Sequence, residues 1–365
     1  MFEPPQTDSS HPQRLGLEAS SVRPPHSART QTARAIHRSV EPLVQRLFRK
    51  VRTSDSCFSA MVFAFKQLQR LGLSVGPNHF YWPVPDLSEL ERQRWPANTL
   101  TSWLDLRLSS QLQWLHQMAA EYSQEWTFPD QPTASPRYHY NNGFFETVDA
   151  EMAYCFVRHF KPSRIIEVGG GFSTRLLTEA LRANLEQDGT KGELTTIDPG
   201  LDPSTHPFLA GSTQFIQRPV QEVDLKLFLS LKEGDILFLD SSHVVGVGSD
   251  VVYEYLEVVP RLRPGVLVHA HDIFVPFDYP RELVVGNLSF WSEQYLLRAF
   301  LSFNPCFEVL WGSSGMQAFH SDVLEKMFPR WKGSYRNLPK ATRRFVPSPD
   351  GERVWPSSFW MRRMS

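Results

Sequence analysis

The sequence predicts an α/β fold, a doubly wound and mostly parallel sheet preceded by a helical extension. Three observations carry that expectation. From Gly143 onward, short β-branched runs alternate with helical patterns, the rhythm of strands buried between two layers of helices. The first strong run, Arg164 to Val168, is followed by three consecutive glycines and then by a helical pattern. Two runs end in Asp198 and Asp240, acids at the carboxyl ends of strands, where open sheets of this kind take their ligands.

The elements follow in order. Residues 1–38 hold Pro4, Pro5, Pro12, Pro24 and Pro25, many Ser and Thr, scattered Arg and a single aromatic, Phe2. Such a stretch buries too little apolar surface to offset its ordering entropy, so a disordered tail is expected. An arginine-rich targeting peptide is the competing reading, disfavoured by Glu3, Asp8 and Glu18. Residues 39–135 read as a helical accessory region: Leu43, Leu47 and Val51 share one helical face, and Leu104, Leu108, Leu112, Leu115 and Tyr122 share another. Its end, with Pro129, Pro132 and Pro136, reads as a linker or covering loop over 127–142.

The sheet domain is expected over 136–365. Helices are expected at Asp149 to Phe160, Ser173 to Leu185, Asp250 to Val259 and Trp291 to Ser302. Strands are expected at Arg164 to Val168, Glu193 to Ile197, Gln214 to Gln217, Asp235 to Leu239, Gly265 to Val268 and Phe307 to Trp311. A last strand, Ser357 to Arg362, follows a basic, proline-broken insertion and should lie antiparallel to the sheet or at its edge.

Composition bounds the function. The chain of 365 residues suits one large elaborated domain or two. Its 38 Lys and Arg against 39 Asp and Glu leave a net charge of -1, so no global field attracts a polyanion and nucleic acid is not an expected partner. Cys57, Cys155 and Cys306 lie far apart with no CxxC pair, which argues against a disulfide framework or zinc ribbon and for a reducing compartment. No apolar run approaches the roughly 18 residues of a membrane span, and no secretory signal core is present. A soluble, cytoplasmic protein is the expectation. No residue pattern assigns an oligomeric state.

The most informative stretch is Arg164-Ile165-Ile166-Glu167-Val168-Gly169-Gly170-Gly171-Phe172-Ser173-Thr174. A strand enters three glycines and opens a helix capped by Ser173 or Thr174, so backbone can approach a ligand closely at a helix N-terminus. A dinucleotide fingerprint would place its third glycine at Thr174 and has no need of Glu167. A carboxylate there repels pyrophosphate and suits an ammonium or sulfonium group. Asp198, at the end of the second strand, can accept both hydroxyls of a ribose. Together these residues describe an adenosine-bearing, positively charged cofactor.

On these residues the sequence resembles the class I S-adenosyl-L-methionine-dependent methyltransferases, in the subgroup whose first motif reads Glu-x-Gly-x-Gly-x-Ser, here Glu167, Gly169, Gly171 and Ser173. The resemblance covers about residues 140 to 365 and extends to Phe238-Leu239-Asp240-Ser241-Ser242-His243 and Arg263-Pro264-Gly265-Val266-Leu267-Val268. It implies a Rossmann-like sheet and methyl transfer to an oxygen of a small-molecule or saccharide acceptor. It also implies cofactor contacts from Glu167, Gly169, Gly170, Gly171, Ser173, Asp198 and Asp240.

The chemistry then belongs at the ends of the fourth and fifth strands, at Asp240, His243, His269, His271 and Asp272. A histidine of near-neutral pKa can take the proton of a hydroxyl, and His243 and His271 are the candidates, with Asp272 beside them. In related enzymes a pair of strand-end acids holds magnesium (Mg2+), and the resemblance puts Asp240 and Asp272 in that place. The third metal ligand of that pattern is replaced by Ile273. Plainer roles are a helix cap for His243, a core histidine for His269 and loop hydrogen bonds for Asp272. On an extended backbone the side chains of His271 and Asp272 would point apart. The loop Ile273 to Pro280, with Trp291, Glu293, Gln294 and Tyr295, suggests an acceptor wall, and Lys340 to Arg344 a contact for an acidic acceptor or a solvated face. Two rival functions are a non-catalytic module that retains the cofactor site and, disfavoured by Glu167 and Thr174, an NAD-type oxidoreductase.

Overall fold

Burial on both faces is what turns the short β-branched runs into a sheet. In the computed structural model, which describes residues 55–76, 83–92, 104–343 and 346–365, consecutive strand residues point to opposite sides. Ile165, Phe238 and Trp360 enter one core, and Ile166, Leu237 and Met361 the other, as the two-residue period of a strand requires. The chain divides into two compact units, Met1–Pro83 and Val84–Ser365. The tail expected over 1–38 lies outside the described residues.

In the first unit the described residues form α1 (Asp55–Arg70). The second holds α2 (Leu87–Arg92), α3 (Leu108–Tyr122), α4 (Asp149–Phe160), β1 (Arg164–Val168), α5 (Phe172–Asp188), β2 (Glu193–Ile197), β3 (Gln214–Ile216), α6 (Leu225–Leu229), β4 (Ile236–Leu239) and α7 (Asp250–Tyr253). It continues with β5 (Leu267–Ala270), α8 (Glu293–Leu301), β6 (Phe307–Gly312), α9 (Ser313–Met327), two short helices and β7 (Phe359–Arg363). The accessory region expected over 39–135 is therefore divided. Helix α3 packs against α4 and β6, with Leu115 and Met118 in the same core as Trp360. Its periodicity shows that it has an apolar face but not what that face meets.

The seven strands run in the order β3-β2-β1-β4-β5-β7-β6. Pairs β1 with β2, β1 with β4, β2 with β3 and β4 with β5 are parallel. Strand β7 is antiparallel to both β5 and β6. The doubly wound, Rossmann-like α/β sheet is thus present, with an antiparallel strand inserted before the last. Two elements depart from expectation. The helix from Asp250 gives way to a π-turn at Glu254–Val258, and the proline-broken insertion contains α9. Among the described residues no helix is long and apolar enough to cross a membrane.

Candidate active site

The strand order reverses between β1 and β4, and at such a switch point the diverging connections leave a crevice at the carboxyl ends. The chain meets itself closely there. Asp240 N–H donates to the Val168 carbonyl at 2.9 Å, and Gly169 N–H to the Ile197 carbonyl at 2.9 Å. Gly169 has φ +84, and a Cβ on it would stand 1.8 Å from the Asp240 carbonyl oxygen, so only glycine fits. A Cβ on Gly170 would meet Leu201 and Thr196 at 2.8 and 2.9 Å, whereas one on Gly171 meets nothing within 4 Å. Past these glycines opens a cavity of about 390 Å3 walled by Gly169, Ile197, Asp198, Val220 and Asp240. Asp198 lines it while accepting from the Gly170, Gly200 and Leu201 amides at 3.1, 2.7 and 3.1 Å.

Glu167 and Ser173, expected at the cofactor, face inward instead. Glu167 is fully buried. Its Oε1 accepts from Ser173 Oγ at 2.7 Å, and its Oε2 from Thr174 Oγ1 at 2.7 Å and Thr196 Oγ1 at 2.9 Å. Both oxygens are engaged, and the pair acts on the turn from beneath. Of the two residues expected to cap α5, Thr174 does so from its third position rather than as the N-cap residue. The cap residue is Gly171, whose N–H donates to Thr174 Oγ1 at 2.9 Å.

Burial, only partly offset by the hydroxyls of Thr174, Ser173 and Thr196, pushes the Glu167 carboxyl up to about 7. A raised carboxyl value favours the neutral acid in the fold, so its stabilisation is complete below about 4.5 and is lost as pH rises through about 7. Urea unfolding between those limits should show Glu167→Gln lacking a decline on the order of 3 kcal/mol that the parent chain has. Parallel stability curves would remove the assignment.

On the other side of Asp240 lies a second cavity of about 590 Å3, lined by Asp240, His243, His271, Asp272, Trp291 and Trp355 among others. His243 Nε2 stands 3.5 Å from Asp240 Oδ1 and 3.4 Å from Asp272 Oδ2. His271 Nδ1 stands 3.4 Å from the same Asp240 oxygen and 3.8 Å from Asp272 Oδ2. His271 and Asp272 share this cavity because the chain is no longer extended: Asp272 has φ 55, and His243 has φ 60. Non-glycine residues held in the left-handed region concentrate at functional sites.

Burial alone would depress both imidazoles, but the acids around them prevail. Asp272 and Asp240 raise His271 to about 9, and Asp240 and Glu293 hold His243 well above the usual value. Asp240 in turn, despite its desolvation, is held well below the carboxylate range by His271 and His243. The near-neutral base expected of an isolated histidine is therefore not what this cluster favours, because its acids stabilise the charged form of both rings.

The plain role foreseen for His243 goes to Ser249, which caps α7 by accepting from Val252 N–H. The His243 carbonyl instead accepts the Ser292 and Glu293 amides at 2.8 and 3.1 Å. His269 is buried, with Nε2 2.9 Å from Ser358 Oγ. Phe274 and Tyr279 are buried in their own cluster behind Trp291 and Trp355, so the tryptophans form the wall. Arg343 donates to the Leu338 and Arg336 carbonyls, and Arg344 lies outside the described residues.

Three acids gain roles that no spacing announced. Glu293, 1% exposed, holds His243 Nδ1 at 2.8 Å and accepts from Tyr255 OH at 2.9 Å. Asp149 accepts the Ser357 and Ser358 amides at 2.7 and 3.0 Å. Glu146, beside it in the cavity wall, is pushed up to about 7 by burial.

A family model described as a methyltransferase domain matches residues 166–273, a span holding Gly169, Asp198, Asp240, His243, His271 and Asp272. An uncharacterized protein of Archaeoglobus fulgidus is 30% identical over 190 residues, covering 49% of this chain and 83% of that protein. A solved structure of the plantazolicin methyltransferase BamL, in complex with a triazolic desmethylPZN analog and SAH, matches 70% of this chain and 96% of its own at 14% identity and a TM-score of 0.35. With a doubly wound sheet, a glycine turn at its switch point and a methyltransferase domain over β1 to β5, the chain belongs to the class I S-adenosyl-L-methionine-dependent methyltransferases.

Proposed function

We propose that the chain moves the methyl group of S-adenosyl-L-methionine to an oxygen of a small-molecule or saccharide acceptor bound in the 590 Å3 cavity. The position of Asp240 supports this most. Among the described residues it alone lines both cavities, so a cofactor in one and an acceptor in the other meet there. Asp198 then serves the ribose and Gly169 to Gly171 the backbone approach. The transfer is an in-line displacement in which the sulfur–methyl bond breaks as the oxygen–methyl bond forms. The hydroxyl proton passes to the Asp272 carboxylate at the cavity wall, while Asp240, held ionised by His243 and His271, orients the two rings beside it. Trp291 and Trp355 supply the apolar wall that a small acceptor or sugar ring packs against. The unpaired Cys155 and Cys306 suit a reducing compartment such as the cytoplasm.

The magnesium ion that the resemblance implies does not match the residues present. Its third position is Ile273, which is buried and offers no side-chain donor. The His243 imidazole stands against the two carboxylates, where magnesium would keep oxygen ligands or water. No step above passes through it.

The reading is tested by incubating the full chain with S-adenosyl-L-methionine and a panel of hydroxylated metabolites and scoring the mass gain of one methylene. S-adenosylhomocysteine at about 100 times its dissociation constant should stabilise the fold by roughly 2.7 kcal/mol. Stabilisation without product would point to a cofactor-retaining binding module. No stabilisation would remove the reading.

A further inference from the structure

We propose that the acceptor cavity continues outward into an anion subsite formed by Arg281 and Arg343, so that the acceptor is an elongated molecule with a hydroxylated ring at one end and a carboxylate or phosphate at the other. This rests on the methyl-transfer reading for what happens at the inner end. Its test measures binding alone, so the two can fail separately.

A third cavity, of about 780 Å3, adjoins the 590 Å3 one, and Asn287 and Val346 line both. The wall between them is a single turn of chain. The π-turn Glu282–Gly286 gives Leu283 to the inner cavity and Val285 to the outer one, with Arg281 before it and Asn287 after it. Turns of this kind are rare and gather at functional sites. Asn287 is half-buried, and among the described residues its side-chain amide has no hydrogen-bond partner. That amide is available to a ligand passing from one cavity to the other.

The two cavities differ in charge. In the inner one the cations are His243 and His271, and both already stand against Asp240 and Asp272. Glu146 and Asp149 add acid there without adding a cation, so nothing in it holds an anion. In the outer one Arg281 and Arg343 share the wall with one acid, Glu282, and among the described residues neither guanidinium forms an ion pair. Arg343 is half-buried and oriented. Its Nε donates to the Leu338 carbonyl at 3.0 Å and its Nη2 to the Arg336 carbonyl, which fixes the plane of the guanidinium and leaves Nη1 uncommitted. A guanidinium held in this way offers directed donors to the oxygens of a carboxylate or phosphate. The difference in charge sets the direction of the acceptor, with its neutral hydroxyl inward toward Asp240 and Asp272 and its anion outward. The basic run Lys340 to Arg344 acquires a role through Arg343.

The test is calorimetry of the full chain with three probes that share a phenol ring and differ at the far end of the side arm: para-hydroxyphenylpropanol, its alkyl phosphate ester and para-hydroxyphenylpropanoate. At least one of the two anions should bind about 10- to 100-fold more tightly than the alcohol, and the larger gain tells which anion the subsite prefers. Arg281→Gln removes an exposed side chain without an ion pair among the described residues, so the variant folds. It should cut the gain about tenfold while leaving the alcohol unaffected. Arg343→Lys should cut it as well, because an ammonium lacks the fork. Trp355→Ala should weaken all three probes alike, since the ring end sits in the inner cavity. Equal affinity of the alcohol and both anions, failure of all three to bind, or a gain that survives in both arginine variants would overturn the subsite. Anion affinity indifferent to Trp355→Ala would detach the arginines from the acceptor and overturn it too.

Discussion

Asp240→Asn lowers methyl transfer by a factor of about 10^2 to 10^3 while S-adenosylhomocysteine binds within about tenfold of the parent chain; this is the split expected of a residue between two cavities. The lower bound follows from what one oriented polar group contributes at a reacting centre. The amide keeps the size of the side chain and its contact with the cofactor cavity, so the other cofactor contacts, Gly169 and Asp198 among them, are undisturbed. What disappears is the charge between two imidazoles. His243 would keep Asp272 and Glu293, but His271 would keep only Asp272, at 3.8 Å, and leaving a buried charge without its close partner costs about 3–5 kcal/mol unless the ring gives up its proton. Turnover rates and calorimetric affinities measured together check this. Parental turnover would detach the cluster from the chemistry, and an equal loss of cofactor affinity would place Asp240 in cofactor binding alone.

The placement of Asp198 and Asp240 at strand ends is legible because it depends on order along the chain. Arg164 to Val168 and Asp235 to Leu239 read as buried strands of one parallel sheet, which puts Gly169 and Asp240 at its carboxyl edge; that the two strands are neighbours, with the Asp240 amide bonded to Val168, is seen only in the structure. The direction in which a side chain turns was not legible. Glu167 is visible in sequence as an acid before glycines, but that Ser173, Thr174 and Thr196 enclose it depends on α5 and β2 lying over one spot. His271 and Asp272 would diverge on an extended backbone, and only the left-handed turn at Asp272 brings them to one cavity. Glu293 is 50 residues from His243, and no local period links them. Their contact is made by the loop after β4 folding onto the first turn of α8, where the His243 carbonyl takes two amides.

Gly169→Ala should be the most damaging single-methyl change in the chain, and its comparison with Gly171→Ala separates architecture from binding. At Gly169 the added carbon meets a carbonyl oxygen of the paired strand end at 1.8 Å, with φ at +84. No side-chain rotation relieves a clash with backbone, so β1 and β4 must part at the switch point. Overpacking and a left-handed alanine together cost roughly 3–5 kcal/mol, a large share of an ordinary domain's stability. Gly171, two residues on, has φ 175 and open space where its Cβ would be. Alanine there should alter stability by less than about 1 kcal/mol. If the cofactor passes over the start of α5, however, that methyl stands in its path, and S-adenosylhomocysteine affinity should fall about tenfold or more. Urea unfolding and calorimetry on both variants give four independent numbers. A Gly169→Ala chain of parental stability would contradict the pairing of β1 with β4 at this point. Unchanged affinity in Gly171→Ala would move the cofactor off the helix N-terminus and leave the glycine turn a purely architectural device.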